Sequence, residues 1–252
     1  MAPSRRTILR STTGIALTTT GLSVSALASD DDHASEPDES HTRGDAEASW
    51  RCDDVHASLE LFDGRAIAAG RVTTPTPCHE PVLADVEGSD DSLSVTIDSE
   101  RADGRGCPDV ISCADYEEPF ALPDSGRYTG LSVVHASVGD DVSVLEATVS
   151  SRKTDCDPRY ERTEDERTTV EIDGNAVRFA GRIVAPTPCH EVVFRAVDYD
   201  GDDVTVDIGL ASTLEDGQLC PQAITCFAYR GVVRLLEGAS IDDAAVAHAD
   251  AE

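Results

Sequence analysis

A chain of 252 residues with 49 acidic and 20 basic side chains carries a net charge of -29, and Lys153 is its one lysine. The sequence offers no run of basic residues to displace phosphate counterions, so nucleic acid is disfavoured as a partner. Aromatic residues make up only 4% of the chain, so its cores must rest on aliphatic side chains and on cross-links.

The acid is spread over the linker, turns and strand ends rather than gathered in one block. That distribution reads as a carboxylate-rich surface that stays hydrated and soluble in concentrated salt. At molar salt the Debye length falls to about 3 Å, so self-repulsion is tolerable there and less so in dilute buffer.

Along the chain, Ser4-Arg5-Arg6-Thr7-Ile8-Leu9-Arg10 fits the twin-arginine export pattern. An uncharged, threonine-rich run from Ser11 to Ala28 follows, ending in the small-x-small site Ala26-Leu27-Ala28. The run is too short and too polar to span a bilayer, which takes about 20 apolar residues. A signal peptide is therefore expected over residues 1–28, cleaved after Ala28, with the mature chain secreted or at the cell surface. Cleavage removes three arginines and no acid, leaving a charge of -32. No other apolar segment predicts a membrane span. Residues 29–49 are polar, acidic and without apolar periodicity, and read as a disordered linker.

Beyond the linker the sequence repeats. Pro75-Thr76-Pro77-Cys78-His79-Glu80 recurs as Pro186-Thr187-Pro188-Cys189-His190-Glu191, 111 positions later. Cys107-Pro108 with Ile111 and Cys113 recurs as Cys220-Pro221 with Ile224 and Cys226, at an offset of 113. Two modules are expected, over residues 50–150 and 151–252. Their periodicity is that of strands: Leu93-Ser94-Val95-Thr96-Ile97 and Val204-Thr205-Val206-Asp207-Ile208 alternate cleanly. Residues 66–72, 82–86, 109–120, 128–135 and 142–149 are further candidates, separated by turn residues such as Asp63-Gly64 and Gly139-Asp140. The expectation is all-β: two tandem immunoglobulin-like antiparallel β-sandwiches, each with two disulfides, a small barrel being the alternative. Val82 and Val86, like Val193 and Val197, share parity with Cys78 and Cys189. That parity puts the sulfurs on the core face and turns His79 and His190 away from it.

Four cysteines per module in an exported chain argue for disulfides rather than metal thiolates. An extended stretch holds Cys107 and Cys113 roughly 20 Å apart, beyond the ~7 Å that a bond allows. Two pairings remain. Cys78 with Cys107 and Cys52 with Cys113 is favoured over Cys52 with Cys107, and in the second module Cys189 with Cys220 and Cys156 with Cys226. The competing Cys₃His zinc site lacks any Cys-x-x-Cys knuckle.

Other chemistry is weaker. His79-Glu80 and His190-Glu191 begin like His-Glu-x-x-His, but Leu83 and Phe194 stand where the second histidine belongs. No nucleophile elbow or phosphate-binding glycine loop is present, so neither a catalytic residue nor a cofactor is expected. His79, His190, His135 and His248 are candidate metal ligands, against the plainer reading as surface histidines. Asp198 to Asp203 reads as a hairpin turn rather than a calcium loop. Tyr116 and Tyr229, each three residues past a cysteine, read as core or corner tyrosines.

The repeated hexapeptide and the Cys-Pro-x-x-Ile-x-Cys pattern, from Trp50 onward, resemble tandem cysteine-bearing β-modules in secreted proteins of halophilic archaea. No activity carries over from that group; the resemblance implies a location and a fold. The function expected is a non-enzymatic extracellular binding or interaction protein in high salt, monomeric, whose partner is an extracellular protein or surface ligand. Inhibition of a secreted protease is one form of it. Copper or zinc binding through the repeated Cys-His-Glu motif is the alternative.

Overall fold

Alternating Val, Ile and Leu with small polar residues favours a pleated chain with one buried side, and thirteen such strands form in the computed structural model. It describes residues 52, 54–89, 91–102, 106–123, 126–137, 140–156, 168–214 and 218–249. The signal peptide and acidic linker expected over 1–28 and 29–49 lie outside the described residues. The first repeat supplies β1 (His56–Phe62), β2 (Arg65–Thr74), β3 (His79–Gly88), β4 (Ser92–Arg101), β5 (Ser112–Ala121), β6 (Gly130–Ser137) and β7 (Asp140–Thr154). The second supplies β8 (Thr169–Asp173), β9 (Ala176–Ala185), β10 (His190–Asp200), β11 (Asp203–Ser212), β12 (Thr225–Leu235) and β13 (Asp243–His248). No helix occurs among the described residues, so none there is long and apolar enough to cross a membrane.

The strands form two sheets, a six-stranded one in the order β13-β11-β10-β1-β2-β5 and a seven-stranded one in the order β3-β4-β6-β7-β12-β9-β8. Each repeat puts its first, second and fifth strands in one sheet and its third, fourth and sixth in the other. The second repeat uses the opposite sheets from the first. Both sheets therefore run through both repeats. β1 pairs antiparallel with β10 at one junction, and β7 pairs with β6 on one side and β12 on the other.

This corrects the expectation of two separate immunoglobulin-like sandwiches: the arrangement is a solenoid-like, two-layer stack. The reason is local. The expected boundary at 150/151 falls inside β7, whose ladder with β12 continues unbroken from Leu145 to Thr154. All thirteen strands belong to one unit, residues 47–252.

Between the sheets lies an aliphatic core in which Leu59, Ile97, Leu145, Phe194 and Ile208 are wholly or almost wholly buried. A bulge between Phe194 and Ala196 in β10 has its counterpart between Leu83 and Asp85 in β3. The extra residue resets the pleat. Leu83 and Val86, not Val82 and Val86, therefore pack against the core, and the parity argument for the cysteines fails. The Gly201-Asp202 turn joins Asp200 to Asp203 with Gly201 at φ 79°, a hairpin geometry suited to glycine.

Candidate interaction loops

The hexapeptide is a corner. β2 and β3 lie in different sheets, as do β9 and β10, and the chain crosses at Pro-Thr-Pro because neither proline can donate to a ladder. Threonine holds the corner. The Thr76 hydroxyl accepts from the Cys78 amide at 3.3 Å and stands 2.8 Å from His79 Nδ1, while its carbonyl accepts from the His79 amide at 3.1 Å. In the second copy His190 Nδ1 lies 2.9 Å from Thr187 Oγ1 and 3.1 Å from the Thr187 carbonyl. The Cys78 and Cys189 carbonyls accept from the amides of Ala102 and Thr213, at 2.8 and 2.9 Å.

Disulfides join Cys78 to Cys107 and Cys189 to Cys220, tying each corner to the connection after the fourth strand of its repeat. Cys52–Cys113 and Cys156–Cys226 pin the segment ahead of each repeat to its fifth strand. This is the pairing favoured over Cys52 with Cys107, although the strand assumed in setting Cys107 apart from Cys113 begins only at Ser112 rather than at Asp109. Pro108 and the pull of the Cys78–Cys107 bond keep the preceding residues out of the sheet. The described part of each Cys-to-Cys loop is thus an irregular segment with a disulfide at either end.

These loops carry apolar side chains into water. Six large apolar residues are exposed among the described residues; Val110 at 62% and Ile224 at 74% lie within these loops, and Leu219 at 96% stands directly before Cys220. Leaving such a side chain wet rather than buried forgoes about 1.5–3 kcal/mol. Disulfides at both ends restrict the backbone between them, so the loop has less to order on meeting a partner.

The four candidate histidines do not converge. His79 and His190 start β3 and β10 at the two corners, and no three His, Cys, Asp or Glu side chains gather as a metal site among the described residues. The Cys-His-Glu motif has lost its thiolates to disulfides. His135 corrects the surface reading: it is 2% exposed. Its Nε2 lies 2.9 Å from the Tyr116 hydroxyl, and its Nδ1 is buried without a hydrogen-bond partner. Burial, then the charge of His56, lowers its pKa to about 4, and burial pushes the Tyr116 phenol upward. Tyr229 and His248 repeat the pair at 2.6 Å. Each pair bridges the two sheets, since β5 and β6, and β12 and β13, lie in opposite layers.

The register also assembles what the linear sequence hides. Arg152, Arg178, Arg182, Arg230 and Arg234 share the outward side of β7, β12 and β9, all exposed. A shallow groove of about 510 Å³ runs between Arg178, Arg230 and Arg234. The absence of a basic stripe thus holds for the linear order but not for this face.

No protein-family model matches the chain, and neither the curated proteins nor the solved structures include a significant match.

Proposed function

We propose that the protein is an exported, non-enzymatic binding protein of high-salt surroundings that presents the two Cys-to-Cys loops to a partner. One observation carries this: apolar side chains in or beside both loops stand in water, Val110 at 62% and Ile224 at 74% inside them and Leu219, directly before the disulfide-bonded Cys220, at 96%. An apolar-tipped loop tied at both ends suits a concave apolar cleft, and inhibition of a secreted protease with an apolar substrate pocket is the form that best fits. Export through the twin-arginine route and cleavage after Ala28 belong to the same reading. Four disulfides support it, because such bonds form and persist in oxidising compartments.

Inhibition assays in molar salt test it, with secreted proteases preferring apolar residues set against proteases preferring basic ones. The first group should be inhibited, and Leu219→Asp with Val110→Asp should weaken inhibition at least about tenfold, as loss of an anchoring side chain does. No inhibition of either group by the folded protein would remove the inhibitor reading.

Metal capture is the second reading, favoured by a single contact. The Thr187 carbonyl engages His190 Nδ1, which fixes the proton there and leaves Nε2 as the ligating nitrogen. Copper titration of the protein against His79→Ala/His190→Ala separates the two readings.

A further inference from the structure

Of the six exposed large apolar residues, three lie in or beside the loops and Phe62 stacks under the Arg65 guanidinium, 5.7 Å from its ring centroid. The other two are Val170 at 37% and Ile172 at 39%, both on β8. The 111-residue offset that relates the hexapeptides also carries β1 onto β8 and β3 onto β10. Under it Val170 and Ile172 correspond to Leu59 and Leu61, which are 0% and 6% exposed. The same contrast appears at the far end of the seven-stranded sheet. Val82, Leu83 and Val86 of β3 are partly exposed, whereas their counterparts Val193, Phe194 and Val197 of β10 are 0% exposed.

Over Ala196–Tyr199 the difference follows from pairing; Phe194, outside that ladder, donates its amide to the Tyr128 carbonyl instead. β1 and β10 pair with each other at the seam between the repeats, while β8 and β3 are the two terminal strands of the seven-stranded sheet. Among the described residues no strand pairs with the outer edge of either. Matching bulges show that β3 and β10 keep the same local register.

We propose that copies of this chain stack head to tail, β8 of one copy pairing antiparallel with β3 of the next as β1 pairs with β10 inside each copy. The internal seam sets Ser58 opposite Asp198, Leu59 opposite Val197 and Glu60 opposite Ala196. Transferred by the repeat, it sets Thr169 opposite Glu87, Val170 opposite Val86 and Glu171 opposite Asp85. Val170 and Val86 then close the open end of the core. The β1–β10 contact of the internal seam is thereby repeated between copies, without a counterpart of β7. Such a heterologous contact continues open-ended rather than closing into a pair. Asp85, Glu87, Glu171 and Asp173 make both edges acidic, so carboxylates oppose pairing in dilute buffer and are screened at molar salt.

The test uses full-length protein in molar salt. All eight native cysteines are in disulfides, so an introduced thiol is the one available for cross-linking. Thr169→Cys and Glu87→Cys replace exposed residues on one face of the seam. Mixed and mildly oxidised, the two variants should give a covalent dimer, and the double variant a ladder. Val170→Cys with Glu87→Cys, one residue out of register and on the opposite face, should give neither. Val170→Lys added to the double variant should abolish the ladder while the far-ultraviolet circular dichroism stays that of the parent. The proposal is overturned if the folded variants do not cross-link when mixed. It is equally overturned if Thr169→Cys forms a dimer alone, because that would be a β8–β8 contact.

Discussion

Tyr116 and His135 are polar groups spent inside an aliphatic core, and their hydrogen bond crosses from one sheet to the other. A buried neutral imidazole resists protonation because a charge there would be desolvated. The sign follows from the two proton affinities. The unfolded chain takes up a proton near pH 6.5, and the folded imidazole does so only near pH 4. Stability from this group is complete above about pH 6.5 and falls as pH drops toward about 4, by about 3 kcal/mol. Denaturant titrations at neutral and mildly acidic pH should show a shallower loss in His135→Gln than in the parent. Glycine makes room for the tyrosine of each pair. A Cβ on Gly181 would lie 2.6 Å from Tyr229 Cζ and press on its hydroxyl. Gly181→Ala should therefore cost about 1–3 kcal/mol of overpacking, measurable as a lower denaturation midpoint with an unchanged slope.

β7 makes one molecule of two repeats. Its ladder to β6 covers Asp140 to Thr148 and its ladder to β12 covers Leu145 to Thr154, so Leu145, Glu146, Ala147 and Thr148 serve both. A flexible Gly-Ser insertion between Ser150 and Ser151 would be neutral at a true linker. Here it should lower the thermal midpoint by several degrees, because it interrupts a shared ladder. The corner disulfides act on a different term. Each of Cys78–Cys107 and Cys189–Cys220 closes a loop of about 30 residues, worth about 3–4 kcal/mol in the chain-entropy view. Cys189→Ser/Cys220→Ser should lose stability of that order and also free the Cys220 end of the loop beside Leu219. If Leu219 is the anchor, binding weakens further than the stability loss explains.

With the sheets continuous, unfolding should be one cooperative transition rather than two, and calorimetry of the whole chain reads this directly. Residues 50–150 expressed alone would expose the β1 edge and the Leu59 face that β10 now covers. The charge of -29 acts at this scale as well. Self-repulsion opposes the compact state until salt screens it, so the thermal midpoint should climb as salt rises toward molar concentrations. Stacked copies would take the place of the expected monomer, and the same salt that stabilises each copy would permit the seam.

Much was legible from residues alone. Strand character follows from period-two alternation, cysteine chemistry from an even count per repeat and a distance limit, and the hairpin at Gly201 from its turn residues; all three are local rules. Sheet membership is not local: β2 and β3 are neighbours in sequence, yet the Pro75-Thr76-Pro77 corner sends them to different layers. Likewise His135 looks like a surface histidine until β5 lays Tyr116 across it, and the arginine face exists only once β7, β12 and β9 lie side by side. Spacing and composition determine which segments become strands. Which strands meet, and hence which side chains are covered, is decided by long-range pairing, whose energy comes from contacts between residues far apart in the chain.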